Sequence, residues 1–451
     1  MAVHPIDYRY GSEEMRRIWE EENKLQRLLD VEAALARAHA KLGHIPEESA
    51  RVISERANTQ WVKPERVKEI EAEIGHDIMA VVKALSEVCG EHGKYVHLGA
   101  TSNDIIDTAN ALLIKESLEL IGDYLRELRS VLKGLAERHK YTVCIGRTHG
   151  QHAVPTTYGM KFALWLDEVQ RHIDRLDGMK ERILVGKMRG AVGTAASFGD
   201  DALELERLVM EDLGLKPALI TNQLVPRDLY AELAMFLALV ASTLDKIALE
   251  IRNLQRTEIL EVSEPFGEKQ VGSSTMPHKR NPVRSEKVSG LARVLYSNVI
   301  PALLNNPLWH ERDLTNSSVE RVILPESFVL LDEMLRVIIK VLSGLEFFPE
   351  NIERNLYLTN NLIMAEPLML KLAEKGMGRQ EAHELVRRLA MGAFREGRDL
   401  LEVVRESEEV REFLSDEEVA SLKPENYIGL APQIVDNVIA VIEEKERKED
   451  S

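Results

Sequence analysis

From Leu118 the apolar side chains fall at Leu118, Ile121, Leu125, Leu128, Leu132 and Leu135, in steps that alternate three and four. That spacing draws one continuous stripe along a helix, of the kind that packs against other long helices in a bundle. Phe162, Leu166, Val169, Ile173, Leu176 and Ile183 repeat the rule in a second helix, and Val240, Leu244, Ile247, Ile251 and Leu254 in a third. The segments 284–304 and 319–342 supply two more, the latter interrupted by Pro325, which should kink it or mark its true start. Leu229–Ala241 is apolar nearly all round, broken by Glu232, and a helix of that kind must be covered on every side by its own domain or by other subunits. It is too short to span a bilayer, so no membrane partner is expected.

The flanks read differently. Residues up to about Asn110 hold shorter amphipathic stretches with turn signals at Gly43-His44-Ile45-Pro46 and around Gly90–Gly93; beyond Phe348-Pro349 short helices return. Period-two alternation is scarce, so strands should be short and peripheral, with one hairpin expected near 141–154. The fold class is therefore all-α, with a central long-helix bundle, and the expected domains are 1–111, 112–348 and 349–451. Aromatics at 5% beside abundant Ala, Leu, Glu and Arg favour helix over strand. A net charge of −17 argues against a nucleic-acid partner, but a local cluster of Arg and Lys can still hold an anionic small molecule. Cys89 and Cys144 form neither a disulfide framework nor a metal spacing, which points to a reducing, cytoplasmic setting.

Three polar segments interrupt the helices. Gly99-Ala100-Thr101-Ser102-Asn103-Asp104 reads first as a helix cap, and the free N–H groups of that helix start would also receive an anion. Gly146-Arg147-Thr148-His149-Gly150-Gln151-His152 sets two histidines beside an arginine, which suits proton transfer near neutral pH. No carboxylate or cysteine lies close enough in sequence to make His149 and His152 a metal site, so none is assigned. Gly272-Ser273-Ser274-Thr275-Met276-Pro277-His278-Lys279-Arg280-Asn281-Pro282 is too polar for a core and too ordered for a linker. Its small hydroxyls and cations suit a carbon acid flanked by carboxylates, and its glycine and hydroxyls suit a mobile loop.

Together these segments resemble the fumarase/aspartase superfamily, whose Gly-Ser-Ser-x-Met-Pro-x-Lys-x-Asn-Pro signature is matched by Gly272–Pro282. Within it, Thr148-His149-Gly150-Gln151-His152-Ala153, Thr101-Ser102-Asn103-Asp104, His278 and the N-terminal Tyr8-Arg9-Tyr10 resemble the adenylosuccinate lyase family. The resemblance spans essentially the whole chain. It implies three helical domains in a homotetramer with active sites shared between subunits. It also implies anti elimination of fumarate from adenylosuccinate and from succinyl-aminoimidazole-carboxamide ribotide, with no metal or organic cofactor. Carried over residue by residue, it makes Ser273 the general base, His149 the general acid, Glu286 the carboxylate that orients His149, and His76 a second catalytic histidine that also meets the phosphate. Lys279 and Asn281 hold the reacting carboxylate, and Thr101 and Ser102 the succinyl carboxylate. Arg9, Tyr10, Asp77 and Gln223 become substrate contacts, and Arg312, Ser317 and Arg321 the phosphate segment. The alternatives are another superfamily member, such as carboxymuconate cycloisomerase, argininosuccinate lyase or fumarase, or a non-catalytic structural relative. The presence of His149, Ser273 and Lys279 weighs against the last.

Overall fold

The computed structural model describes residues 3–267, 272 and 274–449. Five short helices come first: α1 (Glu13–Trp19), α2 (Glu21–Lys41), α3 (Glu47–Arg56), α4 (Pro64–Ile74) and α5 (Asp77–Cys89). The long α6 (Ser102–Arg138) leads into a hairpin, β1 (Val143–Thr148) and β2 (Gln151–Thr157), and then into α7 (Tyr158–Ile183). Two-residue β3 (Val185–Gly186) pairs in parallel with β4 (Lys216–Pro217), with α8 (Ala202–Leu213) between them. Then come α9 (Asp228–Leu254), β5 (Val262–Ser263), α10 (Val283–Leu304), α11 (Thr315–Ser343) and β6 (Glu346–Phe347), which pairs antiparallel with β5. Seven short helices close the chain, α12 (Pro349–Tyr357), α13 (Ala365–Glu374), α14 (Arg379–Glu396), α15 (Leu400–Glu406), α16 (Glu408–Arg411), α17 (Asp416–Ala420) and α18 (Ala431–Glu449).

The periodic positions bury as their spacing requires: each of the seventeen apolar residues that define the three long stripes is buried, Leu118, Leu125, Leu166 and Val240 completely. The stripe at 240–254 and the all-round apolar run at 229–241 are one helix, α9. The hairpin lies at 143–157, slightly later than the 141–154 expectation. Pro325 does not start its helix. It sits inside α11, where its missing N–H leaves the Arg321 carbonyl without its intrahelical donor. Both cysteines are buried and free. No helix among the described residues is long and apolar enough to cross a membrane.

The chain divides into two compact units. One comprises Met1–Arg126, His172–Leu244 and Val288–Arg336. Its cores join α2 to α3, α4 and α5, and α2 to α6 and α8, through residues such as Leu29, Ile53 and Leu85 in the first and Leu35, Ile105 and Leu205 in the second. Two ionic clusters are buried with them. Arg227 forks onto Asp107 through two bonds of 2.8 Å and onto Glu320 at 2.8 and 3.1 Å. Lys187 meets Asp104 at 2.5 Å, both side chains wholly out of water. The other unit comprises Glu127–Arg171, Asp245–Lys287 and Val337–Ser451. Its core gathers Leu356, Leu368, Leu385, Leu400 and Val410 from the short C-terminal helices around Ile145 of β1.

Candidate active site

In the first unit the site begins at the N-terminus of α6. The backbone N–H of Thr101 donates to the Asp104 carboxylate at 2.8 Å, which is the reciprocal half of a capping box. Asp104 also accepts from the N–H groups of Arg189 at 2.9 Å and Gly190 at 3.1 Å, besides its pair with Lys187. A fully buried carboxylate with this many donors is a fixed post, and it locks the turn that carries Thr101 and Ser102 at the positive end of a 37-residue helix. The approach to that turn is fixed as well. Ser197 donates to the Gly99 carbonyl at 2.5 Å. His97 meets buried Glu32 at 2.6 Å; burial lowers the imidazole's pKa, but the Glu32 bond and charge outweigh it and leave it above the ordinary value.

His76 caps α5. Its Nδ1 accepts the Met79 N–H at 3.3 Å. Next to it, Asp77 pairs with Arg321. Arg312 donates to Gln223 at 3.1 Å. Asp77, Arg312, Ser317 and Arg321 share the lining of one cavity of about 340 Å³. The fold thus brings the expected phosphate segment together with Asp77, and Gln223 onto Arg312, although these residues lie up to 244 positions apart. Arg9 and Tyr10 are not on this cavity; Arg9 lies 6.0 Å from the Tyr10 ring centroid, and Arg16 fastens the Tyr10 carbonyl at 3.0 Å.

In the second unit His149 and Gly150 are the two tip residues of the β1–β2 hairpin, with Thr148 paired to Gln151. Both have positive φ, 53° and 73°, as a two-residue type I′ turn demands. Glycine takes that conformation freely; histidine takes it at a cost, which makes His149 a strained, exposed tip. The hairpin is held from below by Glu261, wholly buried, which accepts from Arg147 at 2.5 Å, Tyr158 at 2.6 Å and Asn355 at 3.0 Å. His152, opposite Arg147, has a buried Nδ1 without a partner, and burial and then Arg147 push its pKa down, so it stays neutral. Among the described residues no group of three His, Cys, Asp or Glu side chains is placed to hold a metal.

Ser273 lies outside the described residues. The loop around it closes at its base: Asn281 donates to the Gly272 carbonyl at 3.0 Å, and a Cβ on Gly272 would fall 1.8 Å from the Lys279 carbonyl oxygen. Gly272 therefore permits close approach to the Lys279 carbonyl. Lys279 is exposed, and its N–H closes a turn onto Met276 at 3.0 Å. Buried Glu264 accepts from the N–H groups of Ser285 at 2.5 Å and Arg284 at 3.2 Å, capping α10 just beyond the loop. Glu286 is exposed on the first turn of α10, and no hydrogen bond joins it to His149 within one chain.

Glu261, Glu264 and Lys187 were not visible as site residues in the sequence. Their partners lie roughly 20 to 114 positions away, and nothing local marks them. Glu261→Gln is expected to lower stability by about 2–3 kcal/mol, because the amide turns donors toward the Arg147 guanidinium that the carboxylate satisfied. Urea denaturation checks it, and an unchanged midpoint would show that the hairpin does not depend on this carboxylate.

A mainly helical scaffold with a capped helix start at Thr101-Ser102, a histidine-tipped hairpin and a Gly-Ser-Ser sequence is that of a lyase of the fumarase/aspartase superfamily. Residues 7–296 match the lyase family, and residues 361–438 match the adenylosuccinate lyase C-terminus. The adenylosuccinate lyase of Pyrococcus abyssi is 84% identical over 448 residues, covering 99% of this chain and 100% of its own; that of Methanocaldococcus jannaschii is 57% identical, covering 99% and 97%. Among solved structures, fumarate lyase from Mesorhizobium sp. BNC1 superposes with a TM-score of 0.89 at 35% identity, over 98% of this chain and 99% of that one. The 3-carboxy-cis,cis-muconate lactonizing enzyme of Pseudomonas putida does so with a TM-score of 0.89 at 34% identity, over 96% and 98%. The chain belongs to the adenylosuccinate lyase family, and it is a lyase.

Proposed function

We propose that this lyase cleaves adenylosuccinate to fumarate and AMP, and succinyl-aminoimidazole-carboxamide ribotide to fumarate and the aminoimidazole carboxamide ribotide, as steps of purine nucleotide synthesis. The full-length likeness to adenylosuccinate lyases carries this reading. The cavity lined by Arg312 and Arg321, and the α6 N-terminus with Thr101 and Ser102, support it. In the elimination Ser273 takes the proton on the carbon beside the reacting carboxylate. The C–H electrons become the new C=C bond, the C–N bond breaks on the opposite face, and His149 protonates the leaving nitrogen. Charge grows on the carboxylate as the proton leaves, so Lys279 and Asn281 act where stabilisation in the transition state exceeds that in the ground state. Arg312, Ser317 and Arg321 hold the phosphate with a contact from His76, Arg9 and Tyr10 contact the nucleotide, and Asp77 and Gln223 are further substrate contacts.

The site is assembled from several copies of the chain in a homotetramer. That reading is supported by the exposure of His149, Lys279 and Glu286 in the single chain. An apolar stripe, Met235 and Leu239 on α9 with Tyr296, Ile300 and Leu303 on α10, is left facing water and suits a second copy of these helices. The same reading keeps the domains at 1–111, 112–348 and 349–451. A cycloisomerase reading has the muconate-enzyme structure behind it. Following fumarate release by absorbance separates the two. Release is expected from adenylosuccinate, and its absence under conditions where carboxymuconate or argininosuccinate reacts would overturn the assignment.

A further inference from the structure

The cavity shared by Asp77, Arg312, Ser317 and Arg321 has a second wall that the family match does not use. Lys24 of α2 reaches it, half-buried, together with Asn103 of α6 and Asn316 of α11. Both amides are almost wholly buried, 2% and 1% exposed, yet Asn103 Nδ2 and Asn316 Oδ1 have no hydrogen-bond partner. A buried amide group left unpaired is costly, and here a donor and an acceptor are left unpaired on the same cavity. Such a wall is finished only when something polar fills it.

The charges say what. Four carboxylates line the cavity. Glu21 is paired with Lys68 at 2.6 Å, Asp77 with Arg321, and Glu320 with Arg227 at 2.8 Å, while Glu71 contributes from α4. Among the described residues no carboxylate pairs with Lys24 or with Arg312. Lys24 Nζ stands 5.6 Å from the Trp19 ring centroid, and Trp19 is itself anchored by a 3.0 Å bond to Ser117. Burial, and then the nearby Arg321 guanidinium, push the Lys24 ammonium below its ordinary pKa, and Arg312 is pushed down by burial with Nε unpartnered. Two under-neutralised cations, a free amide donor and a free amide acceptor match a phosphate monoester, which carries close to two negative charges at neutral pH, joined to a hydroxyl-bearing sugar.

We propose that Lys24 is a further binding residue of this enzyme, contacting the ribotide phosphate together with Arg312 and Arg321. Asn103 then donates to a phosphate or ribose oxygen, and Asn316 accepts from a ribose hydroxyl. The proposal rests on the ribotide reading of the site. Lys24 stays outside the proton transfers and addresses a part of the substrate remote from the bond that breaks.

The test compares adenylosuccinate with its phosphate-free nucleoside in wild type, Lys24→Gln and Lys24→Arg. Loss of one charge-assisted contact should raise KM for the nucleotide roughly ten- to a hundredfold in Lys24→Gln, with kcat within about twofold. KM for the nucleoside should be unchanged, and Lys24→Arg should recover most of the nucleotide loss. Equal losses on both substrates, or no loss on the nucleotide, would overturn the role. Calorimetric titration of the free enzyme with AMP, then with inorganic phosphate, keeps the two readings apart. If wild type binds both through Lys24 but releases no fumarate, the phosphate site stands and the reaction reading falls. If fumarate is released while Lys24→Gln binds AMP as wild type does, the reaction stands and Lys24 falls.

Discussion

Ser273→Ala is expected to reduce kcat for fumarate release by roughly a hundred- to ten-thousand-fold while leaving AMP binding close to that of wild type. The argument is chemical. The proton on the carbon beside a carboxylate leaves only when a base stands over it as charge flows into that carboxylate, and alanine provides no oxygen there. The proposed phosphate contacts Arg312, Ser317 and Arg321 are side chains other than the one replaced, so AMP binding should survive the substitution. The base needs help to lose its own proton, and in the proposed mechanism Lys279, six positions on in the sequence, is the cation that would favour the alkoxide. Steady-state kinetics with a separate binding titration decides. A variant that keeps near-normal turnover removes Ser273 from the base role, and one that no longer binds AMP makes its role structural. Mixing this variant with an inactive His149→Asn variant extends the test. If each site draws Ser273 and His149 from different subunits, exchange produces some sites with both, and activity returns. A dead mixture, with exchange shown by mass, counts against shared sites.

Lys187→Met is expected to destabilise the protein by about 3–5 kcal/mol, the penalty for stranding one member of a buried ion pair. The lower end fits better, since the Thr101, Arg189 and Gly190 N–H groups still bond the Asp104 carboxylate once Lys187 is gone. The activity effect is a separate prediction of the same geometry. Asp104 fixes the turn that presents Thr101 and Ser102, so KM should rise even under conditions where the variant is fully folded. Pairing the substitution with Asp104→Asn should recover part of the stability, because the charge left alone in the single variant is then absent. A denaturation midpoint that does not move in Lys187→Met, or a double variant no better than the single, would show that the pair contributes little.

The sequence was most readable where its signal is local. Alternating three- and four-residue steps in α6, α7 and α9 define helices whatever surrounds them, and those positions are the buried ones. The Gly-Ser-Ser loop and the Thr-His-Gly-Gln-His segment are contiguous strings, so they carried the superfamily. Local signals misled where packing overrides them. Pro325 reads as a kink or a helix start, and it is not the start, since α11 begins ten residues earlier at Thr315. The Gly99–Asp104 segment reads as a helix cap, and in the fold Asp104 accepts the Thr101 N–H there. Nothing in the stretch 185–190 announces that Lys187 will be buried against it, 83 positions later in the chain. Glu261 and Lys24 share that invisibility. One looks like a turn residue after α9 and the other like a solvated helix charge, and only the folded chain shows the donors around the first and the lack of a carboxylate beside the second.

The left-handed backbone of His149 decides how its chemistry can be interrogated. Most side chains placed at that tip would strain the turn, so a loss of activity would confound backbone displacement with the missing imidazole. Asparagine tolerates positive φ better than any other non-glycine residue and has no group that titrates near neutrality. It is the replacement that keeps the hairpin's shape while removing the proton donor, and a β-branched residue is its opposite. The same geometry narrows what natural variation can place there: the tip admits few residue types on conformational grounds alone, before any demand of catalysis is added.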